Sequence, residues 1–238
     1  MDSSLAVIIP NYNNIEGLHY LLSYFKKKPY EIIVVDNSKK NLGFAGGVNK
    51  GSENIRTKWT LILNDDIEFN DKEIINKLIQ FAEEMKLDAV SPILRNPDGK
   101  VENHGYKVLP IGRINLVKEL TGSRVNELDG LTAACLLVKT EVFKKLGGFD
   151  KKFFAYLEDV DFFLRFKKAG YKFGIMEVEV LHDHMTTTKT MGNFKARQDM
   201  INWWRLYFKH PEKFKFNLDF IIERLRNVSG YIKASLKK

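Results

Sequence analysis

The 238-residue chain has a single cysteine, Cys135, so no internal disulfide can brace it and the disulfide-scaffold class is set aside. Cys135 lies in an apolar run, which predicts a buried, inert thiol and suits a reducing compartment. No apolar run approaches the roughly 18–20 residues that cross a bilayer. The N-terminus lacks the basic start of a secretory leader: Asp2 stands there, and a strand-like LAVIIP begins at once. The expected compartment is therefore cytoplasmic. Glycine and proline are ordinary, at 16 and 6 residues, and show no period, which excludes collagen-like and low-complexity classes. Neither common nucleotide signature is present. The glycine stretch 43–51, GFAGGVNKG, is not G-x-G-x-x-G, and no G-x-x-x-x-G-K-[ST] occurs. A Rossmann dehydrogenase and a P-loop NTPase are thereby disfavoured.

Charge is present but lopsided. Residues 189–238 hold 12 Lys/Arg against 4 Asp/Glu and so carry the whole formal charge of +8, while the first 188 residues hold 26 of each sign. A neutral body with a basic tail suits nucleic acid or an anionic membrane surface, or simply a solvated helical face. The tail also holds Trp203, Trp204, Tyr207 and Phe208. They either pack the tail onto the body or anchor it at a lipid interface.

Short β-branched runs alternate with helical stretches in the first half. LAVIIP (5–10), EIIVVD (31–36), WTLILND (59–65) and DAVSPIL (88–94) read as strands buried on both faces. Residues 14–27, 44–56 and 71–86 between them are long enough for crossover helices, the last capped at Asn70–Asp71. This spacing predicts an α/β, mostly parallel sheet. Loops and short strands are expected over 95–128. A buried strand is expected over 130–139, a short helix at EVFKKLGG, a helix over 158–170 and a strand over 172–182. Two C-terminal helices, 194–208 and 217–236, follow.

Open α/β sheets bind ligands beyond the carboxyl ends of their strands, and four such ends here are polar: Pro10-Asn11-Tyr12-Asn13, Asp36-Asn37-Ser38, Asn64-Asp65-Asp66 and His182-Asp183-His184. Each alone reads as turn chemistry; four at one edge read as a site. Two adjacent carboxylates repel unless solvated or neutralised by a hard divalent ion, which would also hold a diphosphate. His182 and His184 share a face, so either can serve as a ligand. Glu158, Asp159 and Asp161 follow the apolar FFAYL. Acids favour a helix's first turn, yet a carboxylate beside an apolar wall takes a raised pKa and can act as a base.

At these residues the chain resembles the family 2 glycosyltransferases of the GT-A fold, in particular the rhamnosyltransferase-like branch. The pieces are VIIPNYN (7–13), IIVVDNS (32–38), NLGFAGGVNKG (41–51), LNDDI (63–67), DGLTAACLLVK (129–139) and GGFDKKFFAYLEDVDFFLRFKKAGYK (147–172). They run in family order across about three-quarters of the chain. The resemblance implies inverting transfer of a sugar from a nucleotide-diphosphate donor, a UDP- or dTDP-sugar, to a saccharide or lipid-linked acceptor. It implies that Pro10, Asn11 and Asn13 border the nucleoside and that Asp36 hydrogen-bonds a pyrimidine. Asn41, Gly46 and Asn49 match the donor-side glycine-rich segment. Asp65 holds the middle and Asp66 the last position of the D-x-D metal motif, whose first position is Asn64 here. Glu158 and Asp159 match the Glu-Asp pair, with Asp159 the general base, and family spacing favours His182 as a metal ligand. Mn²⁺ or Mg²⁺ is the implied cofactor.

The expected organisation is a catalytic domain over 1–190 and a basic helical extension over 191–238, peripheral at the inner membrane face, with no nucleic-acid partner. Two rivals are a sugar-phosphate nucleotidyltransferase, which would need a glycine-rich basic loop that PNYNNIEG lacks, and a non-catalytic nucleotide-sugar or glycan-binding module.

Overall fold

The computed structural model describes residues 4–118, 127–183 and 193–236. Ten strands and seven α-helices occur in them. Strands β1 (Leu5–Asn11), β2 (Glu31–Asp36) and β3 (Trp59–Leu63) alternate with α1 (Ile15–Phe25) and α2 (Gly43–Ser52). The chain continues through β4 (Ile67–Glu68), α3 (Ile74–Glu84), β5 (Ala89–Arg95), β6 (Val101–Asn103), β7 (Tyr106–Leu109) and β8 (Arg113–Leu116). It ends with β9 (Cys135–Lys139), α4 (Thr140–Lys145), α5 (Glu158–Lys168), β10 (Phe173–His182), α6 (Phe194–Lys209) and α7 (Leu218–Leu236).

Eight strands form one sheet in the order β2-β1-β3-β9-β5-β10-β4, with β6 on β5. β1 pairs in parallel with β2 and β3, and β5 with β10. β9 lies antiparallel between β3 and β5, and β4 and β6 also run antiparallel to their neighbours. Five strands therefore point one way and three the other, and the expected mostly parallel sheet is present with antiparallel insertions. β7 and β8 form a separate hairpin.

Alternation along β1 sorts its side chains to the two faces. Leu5, Val7 and Ile9 join Leu21, Phe25, Ile75 and Leu78 under α1 and α3. Ala6 and Ile8 join Val48, Phe143, Phe162 and Phe166 under α2, α4 and α5. Burying each such side chain contributes roughly 1.5–3 kcal/mol. This double burial is why the strand reads as a continuous apolar run. Cys135 is fully buried, which pushes its thiol pKa up and leaves it inert.

Three expectations shift. The strand expected over 130–139 begins only at Cys135, because after Gly130 bridges to Tyr106 residues 131–132 are irregular and 133–134 form a turn. α3 starts at Ile74 rather than at Asp71, whose carboxylate instead accepts from the Glu73 amide at 2.8 Å in a local turn. α2 ends at Ser52, four residues short of the expected end.

The C-terminal helices share a core with the body. Trp203 and Leu206 of α6 and Phe220 of α7 pack with Tyr106, Val108, Phe153 and Val160. Asp161 of α5, fully buried, pairs with Arg165 at 2.8 Å and with Lys209 and His210 of α6 at 2.9 Å.

Candidate active site

The like-directed strands β1, β2, β3 and β10 bring their polar ends to one edge. Asn11 sits in register with Asp36, and the Asn37 amide donates to the Asn11 carbonyl at 2.8 Å. After β3 the chain turns through Asn64, Asp65 and Asp66 into β4, whose Ile67 pairs with His182.

The two adjacent acids meet different partners. Asp65 points toward β1. Its Oδ2 accepts from Asn11 Nδ2 at 2.8 Å and from the Tyr12 amide at 3.4 Å, and its Oδ1 from Asn14 Nδ2 at 3.3 Å. Burial raises its pKa to about 6 and the neighbouring Asp66 adds to this, while the Asn14, Tyr12 and Asn11 donors oppose it. Asn14 also donates to the Asp65 carbonyl at 2.9 Å and caps α1 by accepting from Gly17. A Cβ on Gly17 would lie 1.9 Å from that carbonyl oxygen, so glycine is required there. Asp65 and Asn11 thus brace the loop, with both Asp65 carboxylate oxygens engaged by Asn11, Tyr12 and Asn14.

Asp66 points the other way. Its Oδ1 lies 3.2 Å from His182 Nε2 without hydrogen-bond geometry, and among the described residues this buried oxygen has no hydrogen-bond partner. The opposite ring nitrogen, Nδ1, lies 2.8 Å from Glu102 Oε2 of β6. Burial alone would lower the His182 pKa; Asp66 and Glu102 outweigh it and raise it to about 9. A carboxylate behind the far ring nitrogen is the usual way a ligating histidine is oriented. Asp66 Oδ1 and His182 Nε2, the latter also 3.4 Å from Asn64 Nδ2, lie 3.2 Å apart, and once the imidazole gives up its proton they fit two positions on one divalent ion. Among the described residues no group of three or more His, Cys, Asp or Glu converges as a metal cluster. His184 lies outside the described residues.

The remaining donor-side residues divide between solvent and structure. Asp36 is exposed at the end of β2, where the Ser38 amide and hydroxyl donate to Oδ1 at 2.8 and 2.5 Å and lower its pKa. Pro10 is buried as the next-to-last residue of β1, and Asn13 is exposed with φ +62°. Asn41 accepts from the Gly43 amide at 2.9 Å and so starts α2. Gly43 has φ +70°, and a Cβ there would strike the Phe154 carbonyl at 2.3 Å. Gly46 is buried inside α2. Asn49 does not face the sheet edge with an unused amide: it holds the Phe149 backbone, donating at 2.7 Å and accepting at 2.9 Å.

Glu158 and Asp159 open α5. Glu158 is buried, and burial with the adjacent Asp159 raises its pKa well above the ordinary range. Asp159 is partly buried. Burial raises its pKa to about 6 against the opposing Val160 and Ala133 amides, the former donating at 2.8 Å. Ala133 ties this carboxylate to the acid turn, since the next residue, Ala134, accepts from the Asn64 amide at 2.8 Å. The third acid, Asp161, is the buried ion-pair hub described above and takes no part at the surface.

Sequence reasoning missed Glu102, Asn14 and Asn202. Asn14 carried a signal, as an N-cap before IEGLHYLL; Glu102 and Asn202 carried none. In the tail, Trp203 is buried, Trp204 and Tyr207 are half-buried, and Phe208 is 73% exposed. Tail charge is partly turned inward: Lys209 meets Asp150 at 2.7 Å, Lys213 meets Asp129 at 2.7 Å, and Arg224 is buried over the Trp203 ring.

Residues 37–147 match the family model for glycosyl transferase family 2. The low-salt glycan biosynthesis hexosyltransferase Agl10 of Haloferax volcanii is 27% identical over 233 residues, covering 85% of this chain and 75% of that protein. The N-acetylglucosaminyl-diphospho-decaprenol L-rhamnosyltransferase of Mycobacterium tuberculosis is 27% identical over 205 residues, covering 69% and 67%. In fold, the chain is similar to the mannosyltransferase PcManGT of Pyrobaculum calidifontis, solved with GDP-Man and Mn²⁺, with a TM-score of 0.62 at 14% identity over 99% of this chain and 74% of that one. It is also similar to S. aureus TarS 1–349 with UDP, with a TM-score of 0.55 at 15% identity over 97% and 80%. The fold is that of the GT-A glycosyltransferases. Residues 37–147 carry the match to glycosyl transferase family 2, and the similar proteins are a hexosyltransferase and an L-rhamnosyltransferase.

Proposed function

We propose that this glycosyltransferase works with inversion, using a UDP- or dTDP-sugar and a divalent metal, and delivers the sugar to a saccharide or lipid-linked acceptor. The observation that carries the reading is the placement of Asp159. A carboxylate with pKa about 6 heads α5, and one short segment, Ala133–Ala134, joins it to the turn that holds Asp66. Inversion needs one in-line displacement, so the base and the leaving diphosphate must lie on opposite sides of the transferred sugar. Asp159 takes the proton of the acceptor hydroxyl as the new glycosidic bond forms and the bond to diphosphate breaks. Asp66 and His182 would hold Mn²⁺ or Mg²⁺, which offsets the charge developing on the leaving diphosphate. Glu102 keeps His182 Nε2 turned to that position. Asp36, exposed at the end of β2, is placed to accept the N3–H that uracil and thymine share.

The lipid-linked acceptor draws support from the rhamnosyltransferase relative, whose name specifies a diphospho-decaprenol substrate. It also draws on α7, where Leu218, Ile221, Leu225, Val228, Ile232 and Leu236 recur at helical spacing and are 37–80% exposed. No helix among the described residues is long and apolar enough to cross a membrane. An exposed apolar ridge with Lys215, Arg226 and Lys233 nearby suits the inner face of an anionic bilayer, in keeping with a cytoplasmic site of action.

The direct experiment measures release of the nucleoside diphosphate (UDP, dTDP or GDP) from UDP-glucose, dTDP-L-rhamnose and GDP-mannose with Mn²⁺ and with EDTA. Release from a pyrimidine donor, abolished by EDTA and restored by Mn²⁺, is expected. Full release after metal stripping would sink the metal, and preference for GDP-mannose would sink the role of Asp36.

A further inference from the structure

The turn that delivers Glu158 and Asp159 is built from unfavourable backbone. Phe154, Tyr156 and Leu157 all have positive φ, at 62°, 67° and 69°. Phe154, with ψ −66°, is the centre of a γ-turn in which the Ala155 amide donates to the Phe153 carbonyl at 2.7 Å. Such conformations are disfavoured for bulky residues and persist only where the surroundings impose them.

What imposes them comes largely from α6, about fifty residues away in sequence. Asn202 is completely buried. Its Nδ2 lies 2.9 Å from the Phe153 carbonyl, 2.9 Å from that of Ala155 and 2.7 Å from that of Tyr156. Arg205 donates to its Oδ1 at 2.8 Å and fixes which end of the amide faces the turn. Of the two remaining carbonyls, that of Phe154 accepts from the Ala45 amide of α2 at 3.1 Å and that of Leu157 from the Asp161 amide at 3.0 Å. Phe194 packs on Phe154 with ring centroids 5.9 Å apart, and the Lys195 ammonium sits 4.2 Å over the Tyr156 ring.

We propose that Asn202 is a positioning residue for transfer: through its amide it locks the left-handed turn 153–157 and so sets where Asp159 stands. This rests on the reading of Asp159 as the base. The groups that face Asp159 are Glu158 beside it, the Tyr106 hydroxyl of β7 and Lys195 of α6. Loosening the turn admits water to the carboxylate and removes the burial that holds its pKa high. A displacement of about 1 Å can cost roughly 10²-fold in rate.

The test compares Asn202→Ala and Asn202→Ser with wild type and with Asp159→Asn. Its probe is whichever of UDP-glucose, dTDP-L-rhamnose and GDP-mannose releases its nucleoside diphosphate fastest. For Asn202→Ala, kcat should fall roughly 10–100-fold with donor KM within about threefold, and the acid limb of the kcat profile should move from about 6 toward the ordinary carboxylate range. Asn202→Ser, which keeps one donor, should fall between, and it carries the same readings if the alanine variant does not fold. An unmoved acid limb, or KM and kcat worsening in step, overturns the inference. An Asp159→Asn enzyme with wild-type turnover instead overturns the base on which it rests.

Discussion

Replacing Asp159 by asparagine should slow the enzyme and strengthen the fold in the same variant. Burial lifts the Asp159 carboxyl from 3.8 to about 6, so folding favours its protonated form. Below the unfolded value both states hold the proton and the group contributes nothing. As pH rises from about 4 to 6 the unfolded chain releases the proton first, so stability falls; above 6 the loss is complete and flat. The size of that loss is about 3 kcal/mol, at 1.36 kcal/mol per pH unit, with Glu158 adding in the same direction. The amide introduced by Asp159→Asn would keep the acceptor that meets the Val160 amide but carry no charge. At pH 7–8 the variant should therefore unfold at higher urea, gaining up to about 3 kcal/mol. Turnover should drop about 10²–10⁴-fold while donor affinity stays within a few-fold. Urea unfolding at pH 4, 5.5 and 7.5, paired with nucleoside diphosphate release, reads both. A variant less stable than wild type at pH 7.5, or one as active, would refute the placement of a strained carboxylate base at the head of α5.

Three further outcomes are expected. Glu102→Gln should weaken Mn²⁺ binding about 10–100-fold, because the imidazole loses the carboxylate that orients it; calorimetry with Mn²⁺ and UDP checks this, and unchanged affinity would remove Glu102 from the site. Gly17→Ala should destabilise the fold by more than about 2 kcal/mol, since its Cβ would meet the Asp65 carbonyl at 1.9 Å; an unaltered melting temperature would show that the loop 64–66 yields freely. Leu225→Asp with Ile232→Asp should release the protein from anionic vesicles at low salt without reducing soluble donor hydrolysis; equal sedimentation of both proteins would leave α7 merely an exposed helix.

How much was legible follows from what each residue touches. β1, β3 and β5 could be read because strands covered on both faces leave unbroken apolar runs, and α5 because its phenylalanines recur at helical spacing; β2, expected to be buried on both faces, is instead an edge strand with Glu31, Val34 and Asp36 exposed. The divergence of Asp65 and Asp66 could not be read, since it depends on Asn11 and Asn14 reaching across from another strand end. Asn49 looked like a donor contact by position and proves to be a fastener for Phe149. Glu102 sits on a three-residue strand too short to show alternation. Asn202 is one polar residue in an aromatic helix, and its meaning comes only from the carbonyls it meets.

The ion-pair hub at Asp161 bears on where this enzyme can be divided. Its carboxylate lies wholly inside, and two of its three cationic or protonatable neighbours, Lys209 and His210, lie at the end of α6. Stripping partners from a buried charge typically costs about 3–5 kcal/mol, a large share of the roughly 5–15 kcal/mol that holds a domain folded. A fragment ending near residue 190 would suffer that loss and uncover Phe153, Leu157 and Val160 as well. Modular exchange of C-terminal segments between relatives would therefore have to carry α5 and α6 together as a matched pair.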